Sequence, residues 1–373
     1  MKYDYDVAII GGGPVGSYLA NLLARNFDVA VIEAGNSFGE KACTGIIGKE
    51  SYDDLKLPKK AILNELRGAV FYSKIQSFEI KRNSPQAYLV DRKALEKILA
   101  EKAIKKGAEY FMGTRFMGFK NGRAVLQRFN QQFDVEAQFY VGADGIRSRV
   151  AQEMGAKTKA EFLSGYEVEV VGEFERQDFV EVWVNKELNE EFFFWVAPVN
   201  ESLARVGTFG SLDSLFKFLK MRMLKAGNIV EFRAGSVGFG WRKPWIKGNA
   251  ALVGDAALQI KPTTAGGIAY GMFCAHALAY SLINGRPGEY EKLCRDIKKQ
   301  ISFGMRVRKM FLGLTQEQIE KIFEVLGSRE AVELIERTAD FDDHVKTVKA
   351  IIRSPRLLAR LLKISPMLLR HLV

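Results

Sequence analysis

Two spacings of apolar residues divide the chain. Tyr5-Asp6-Val7-Ala8-Ile9-Ile10 and Val29-Ala30-Val31-Ile32 are almost unbroken apolar runs, which predicts strands buried on both faces, as in a parallel sheet. Between them Tyr18, Leu19, Leu22 and Leu23 recur at helical spacing across residues 17–25. Leu89-Val90 closes another strand, and residues 93–106 carry Leu95, Ile98, Leu99, Ala103 and Ile104 on one helical face. Residues 124–143 read as a hairpin followed by a buried strand ending in Phe139-Tyr140-Val141. From 166 to 209 the period shortens to two, in Glu167-Val168-Glu169-Val170, Val180-Glu181-Val182-Trp183 and Phe192-Phe193-Phe194-Trp195. Consecutive short alternating strands predict an antiparallel sheet, and such a sheet beside the first unit makes a natural cavity wall. Residues 249–253 form one more apolar run. From Gly266 onward Ile268, Tyr270, Met272, Phe273, Ala277 and Leu278 return to helical spacing. There is no internal repeat and no low-complexity segment.

Three glycine-and-acid signatures sit at the joints of these elements. Gly11-Gly12-Gly13-Pro14-Val15-Gly16 links the first strand to the first helix, and Glu33 ends the second strand. Glycines there allow a tight turn and close approach of backbone to a pyrophosphate. The helix start faces that group with free N–H donors, and the acid is placed to accept from ribose hydroxyls. Gly142-Ala143-Asp144-Gly145 with Arg147 and Ser148 follows the 139–141 run. Gly254-Asp255-Ala256-Ala257, then Pro262 and Gly266-Gly267, follows residues 249–253. Asp255, at the carboxyl end of a strand, is placed to accept from ribityl hydroxyls. The helix start at Gly266-Gly267-Ile268 offers unpaired donors for negative charge on a reduced flavin. The ordered set implies a chain folded around FAD.

Composition narrows the classes. A 373-residue chain that is 47% hydrophobic supports two domains with packed cores. Cys43, Cys274 and Cys294 are odd in number and widely spaced, which predicts a reducing cytoplasm without a disulfide framework. With His276, His344 and His371 as its only histidines, no metal site is expected. No apolar run reaches membrane-spanning length. The net charge of +11 gathers partly in residues 344–373, which hold no acid. Lys346, Lys349, Arg353, Arg356, Arg360, Lys363 and Arg370 alternate there with leucines, broken by Pro355 and Pro366. Two readings stand together: a docked helical pair, and a basic face lying peripherally on the inner surface of the membrane. Nucleic acid is not expected, because no recognition motif accompanies the charge.

The ordered signatures resemble the flavoprotein superfamily that includes the aromatic hydroxylases, and within it the geranylgeranyl reductase family. Lys41-Ala42-Cys43-Thr44-Gly45 resembles that family's Lys-Pro-Cys-Gly element. Phe193-Phe194-Trp195-Val196-Ala197-Pro198 resembles its Tyr-x-Trp-x-Phe-Pro element, and Ser354-Pro355-Arg356-Leu357-Leu358 a proline–leucine segment near its C-terminus. The resemblance implies an α/β fold: a Rossmann-like FAD-binding domain, an inserted antiparallel-sheet substrate domain and a helical C-terminal region. The corresponding spans are 1–72 with 88–160 and 245–290; 73–87 with 161–244; and 291–373. It also implies that Asp144 holds the loops around the pyrophosphate, that Asp255 binds the ribityl chain, and that Ala42, Cys43 and Gly45 lie beside the isoalloxazine ring. The activity implied is saturation of prenyl chains in membrane lipid precursors. Ferredoxin, NAD(P)H and a reduced deazaflavin are all open as electron donor. Ala197, standing where the family carries a bulky aromatic, is expected to widen the cavity wall.

Individual residues carry competing expectations. Arg92 pairs with a phosphate, positions the flavin, or forms a helix-start salt bridge. Cys43, flanked by Lys41, has its thiol pKa lowered for proton delivery or redox modulation, or is a small residue packed near the ring. Phe193, Trp195 and Trp241 are the candidate cavity walls, with Phe192, Phe194 and Trp245 as further aromatics. Cys274 and Cys294 are helix-packing residues. Two other classes share the signatures: an aromatic monooxygenase, and a non-catalytic flavin- or lipid-binding protein.

Overall fold

The computed structural model describes residues 3–39 and 41–365. Tyr5–Ile10 lies inside a six-stranded sheet with the order 246–247, 250–252, 137–142, 5–10, 29–32, 109–111. Its pairings are parallel from Ala250–Leu252 to Glu109–Phe111, and Ile246–Lys247 adds an antiparallel edge. Val7–Ile10 and Val29–Ile32 are no more than 3% exposed, as apolar runs buried on both faces require. Helices Pro14–Leu23, Arg92–Ile104 and Ile268–Ile283 pack into the same core. The first begins before residue 17, because Pro14 is already shaped for the first helical position. The second begins at Arg92, where Asp91 Oδ1 accepts from Ala94 N at 3.0 Å.

The second sheet has seven strands in the order 229–243, 157–171, 203–209, 194–198, 179–183, 68–72, 77–81. All pairings are antiparallel except Phe179–Trp183 with Gly68–Tyr72. Gly68–Tyr72 and the start of Lys157–Val171 therefore belong to this sheet, and the expected boundaries at 73 and 161 shift accordingly. The phenylalanine run is also corrected: the strand starts at Phe194, and Phe192 and Phe193 lie in the irregular segment before it. One face of the sheet packs Val168, Val170, Phe194, Val196 and Val206 against helix Leu212–Met221. The other face carries Glu167, Glu169, Trp195 and Arg205, and Arg205 reaches the backbone of Thr44 and Val90 in the nucleotide-binding unit.

Helices from Arg295–Leu312 to Pro355–Ile364 form the C-terminal region. Leu357, Leu361 and Ile364 pack with Val325, Ala331 and Leu334, so the described part of this segment is docked on the preceding helices. Lys346, Lys349, Arg353, Arg356, Arg360 and Lys363 stay exposed. Pro366, Arg370 and His371 lie outside the described residues.

Candidate functional site

The first glycine turn is closed by contacts that leave no room for side chains, with one exception. A Cβ at Gly16 would stand 1.9 Å from Gly11 O, and one at Gly11 2.3 Å from Ala143 O. At Gly13 a Cβ would meet nothing within 4 Å, so the turn opens onto free space at the start of helix Pro14–Leu23. Glu33 locks this turn, accepting from Gly12 N at 2.6 Å and Gly35 N at 2.7 Å. Val15 lies against Gly254 and Gly271, which seats the first signature on the third.

Asp144 Oδ2 accepts from Arg149 N at 2.7 Å and Val150 N at 3.1 Å, while its buried Oδ1 has no partner. Burial raises its pKa above the usual aspartate range, against several hydrogen bonds that lower it. Asp255 lies in the turn Gly254–Ala257, close enough to Gly267 that a Cβ there would stand 2.7 Å from Oδ1. No described residue donates a hydrogen bond to its carboxylate. Gly267 caps helix Ile268–Ile283 without a side-chain bond, leaving the first N–H groups after Gly266 open. Free space at a helix start, an orphaned carboxylate oxygen, an open carboxylate and an uncapped helix suit the pyrophosphate, ribityl chain and flavin of FAD. These residues would hold that cofactor.

The loop holding Ala42, Cys43 and Gly45 lies over the polar face of the second sheet. A Cβ at Gly235 would touch that of Ala42 at 3.3 Å, Thr44 Oγ1 donates to Glu167 Oε2 at 2.5 Å, and Gly45 backs onto Val90. Cys43 departs from expectation. Burial pushes its thiol pKa above the ordinary range and Glu167 adds to this, outweighing Arg92, a Gly45 backbone hydrogen bond and Arg205. Lys41 is not the neighbouring cation: its Nζ lies over Gly145. Arg92 forms the helix-start salt bridge, Nε to Glu96 Oε1 at 2.6 Å, and also donates to Lys41 O at 3.0 Å. Its charge faces Cys43 and Asp255, so the same side chain braces the loop at the site.

Phe193 and Trp195 come together, ring centroids 6.3 Å apart, in a cluster with Phe192, Phe209, Ile146, Ile260 and Ala265. Trp195 reaches across its neighbouring strand because that strand carries Gly207, where a Cβ would stand 2.4 Å from the indole. Glu167 pairs with Gly207 on the next strand, and Glu167 Oε1 and Trp195 Nε1 are both buried without a formed hydrogen bond.

Three aromatics fall elsewhere. Trp241 packs on the nucleotide-domain core under Lys243, and Trp245 is fully buried beside Tyr290. Phe194 stacks on Phe218 behind the sheet. Ala197 is buried with Leu66 and Leu89 and widens no opening. Strand neighbours face opposite ways, so Arg242, beside Trp241, is the one that reaches the signatures. It donates to Ala256 O at 2.7 Å and Ile146 O at 3.0 Å. Sequence reasoning passed over Arg242, Arg205 and Glu167. The available signal was a charge inside an apolar run, as in Leu203–Phe209.

A family model described as FAD binding domain matches residues 4–211. The chain is 30% identical over 95% of its length to an uncharacterized protein of Methanocaldococcus jannaschii, covering 96% of it. It is 30% identical over 86% of its length to a digeranylgeranylglycerophospholipid reductase of Methanosarcina mazei, covering 88% of that protein. A geranylgeranyl bacteriochlorophyll reductase-like protein of Thermoplasma acidophilum shares the fold, with a TM-score of 0.81, 23% identity, and coverage of 96% of this chain and 99% of that one. The glycine cradle, the two signature carboxylates and these relatives agree: the chain belongs to the geranylgeranyl reductase family of FAD-dependent oxidoreductases.

Proposed function

We propose that the protein saturates isolated double bonds in the geranylgeranyl chains of membrane lipid precursors. Bound FAD, once reduced, supplies a hydride from N5 to one alkene carbon, and a proton completes the other. An isolated alkene offers no carbonyl to hold developing charge, so the protein's share is orientation, an apolar wall and a placed proton. Phe193 and Trp195 supply the wall. Cys43 holds its proton at neutral pH, so Sγ is a proton source for carbon and not a thiolate nucleophile, a weak acid that needs close placement to act. Thr44, bonded to Glu167, links that loop to a buried carboxylate whose own pKa burial raises. The juxtaposition of Cys43, Thr44 and Glu167 beside the Trp195 wall is the observation that carries this reading.

The exposed cations from Lys346 to Lys363 support electrostatic contact with an anionic membrane surface. Among the described residues no helix is long and apolar enough to cross a membrane.

The test is anaerobic. The holoprotein is reduced with dithionite, a phospholipid with geranylgeranyl chains is added, and flavin absorbance is followed. Reoxidation by the lipid is expected. A flavin that stays reduced until oxygen arrives, then hydroxylates a phenol, would instead favour the monooxygenase class.

A further inference from the structure

A cavity of about 740 Å³ opens away from the glycine cradle. It lies between the ends of helices Pro14–Leu23 and Arg92–Ile104, the turn after helix Lys49–Asp54, and helix Ile268–Ile283. Tyr18, Leu22, Leu55 and Leu99 give it apolar surface. Arg25, Lys56, Lys102, Lys105 and Lys106 converge on it, with His276, and Asp54 is the one acid in its lining.

None of those five cations forms an ion pair with a described residue. Elsewhere exposed cations do find partners, as in Lys49–Asp53, Lys321–Glu317 and Arg329–Glu333. Lys106 Nζ donates to Asn21 O at 2.7 Å. Burial, then the charges of Arg25 and Lys102, hold its ammonium below the usual lysine range. Asn21 Oδ1 is buried in the same place with no hydrogen-bond partner. Cations at a helix C-terminus answer the helix dipole. That accounts for single charges at two helix ends, and leaves unexplained both Lys56, from a different segment, and an orphaned acceptor in the same hollow.

Uncompensated like charges around one concavity repel each other and concentrate positive potential there. A bound polyanion removes the repulsion. The volume lies within the usual range of small-molecule sites, and the lining combines apolar surface with placed polar groups. The apolar part of the lining offers contacts to an organic group that bare phosphate lacks.

We propose that this cavity is a second binding site, separate from the FAD cradle, for a multiply phosphorylated small molecule of nucleotide type. Phosphates meet Lys102, Lys105, Lys106, Arg25 and Lys56, and the organic part rests on Tyr18 and the leucines.

The test uses the holoprotein, so that FAD already fills its own cradle. Inorganic pyrophosphate and ADP are titrated calorimetrically into the wild type and into a Lys102→Gln/Lys105→Gln variant. Both changed residues are exposed, so FAD content and thermal midpoint serve as folding controls. Expected are saturable binding of ADP tighter than pyrophosphate, weakening in high salt, and a loss of affinity on the order of tenfold or more in the variant. Absence of binding to the wild type overturns the proposal, as does equal binding by the charge variant. Capture on anionic phospholipid vesicles that depends on the same lysines, without any ADP or pyrophosphate binding, also overturns it and assigns the cations to lipid headgroups.

Discussion

Glu167 is 3% exposed and holds Thr44 at 2.5 Å, yet its second oxygen has no formed hydrogen bond and faces Arg233 NH1 at 3.6 Å. Arg205 shares this pocket, bonded to Glu169 at 2.8 Å and to the Thr44 carbonyl. A buried carboxylate between two arginines is costly to leave half-satisfied, so the arrangement is a constraint on the Cys43 loop before it is anything else. The surroundings of Cys43 set its protonation: burial outweighs the cations, and the thiol keeps its proton at neutral pH. Alkylation of the native protein by iodoacetamide is therefore expected to be slow at pH 7 and to accelerate as pH rises above the ordinary thiol range. Cys274 and Cys294 are buried and unreactive by comparison. Peptide mapping of the labelled site checks this, and rapid labelling of Cys43 at pH 7 would show a stabilised thiolate.

At the scale of elements, the apolar runs and glycine turns of the nucleotide-binding unit were legible because each is a local pattern. Buried parallel strands read as unbroken apolar stretches, and a turn that must approach pyrophosphate is written in glycine. The second sheet was legible as strands but not as faces. Glu167-Val168-Glu169-Val170 looks like a solvent-exposed alternation, and only the arrival of the Lys41–Gly45 loop turns its polar side into a buried wall. Register decided the aromatics in the same way. A run of phenylalanines does not say where the strand begins, and a start at Phe194 sends that ring behind the sheet while Trp195 packs on the opposite face with Phe193 and Phe209. The two positions should separate cleanly on mutation. Phe194→Ala removes a fully buried ring stacked on Phe218 and is expected to cost about 3–5 kcal/mol, read as a lowered denaturation midpoint. Trp195→Phe is expected to keep most of the stability and the bound FAD while altering lipid turnover. The reverse pattern would mean that the faces are misassigned.

Across the whole molecule, the C-terminal region is tied to the loop that precedes helix Ile268–Ile283. Lys261 Nζ meets Asp342 Oδ1 at 2.5 Å in a buried pair, Asp342 Oδ2 accepts from Gly48 N at 3.1 Å, and Thr263 Oγ1 lies 2.6 Å from His344 Nδ1. Burial first, then Lys261, lowers the His344 pKa to about 4, with Asp342 and Asp340 pulling the other way. A histidine depressed in the native state contributes its stability above its ordinary value of 6.5 and loses it as pH falls toward 4. The protein is expected to lose on the order of 2 kcal/mol across that window through this group. His344→Gln should flatten the slope of midpoint against pH, and an unchanged slope would contradict the assignment. Asp342 is held below the ordinary aspartate range by Lys261, despite its burial, so its own protonation falls below this window.

The central claim, reduction of prenyl double bonds at the face walled by Phe193 and Trp195, is tested most directly by the product. Dithionite-reduced holoprotein is mixed anaerobically with a phospholipid bearing geranylgeranyl chains, and the lipid is recovered for mass spectrometry. The account predicts a lipid heavier by two hydrogens for each double bond saturated, with one equivalent of reduced flavin consumed per bond. Lipid recovered unchanged alongside fully reduced flavin would contradict it.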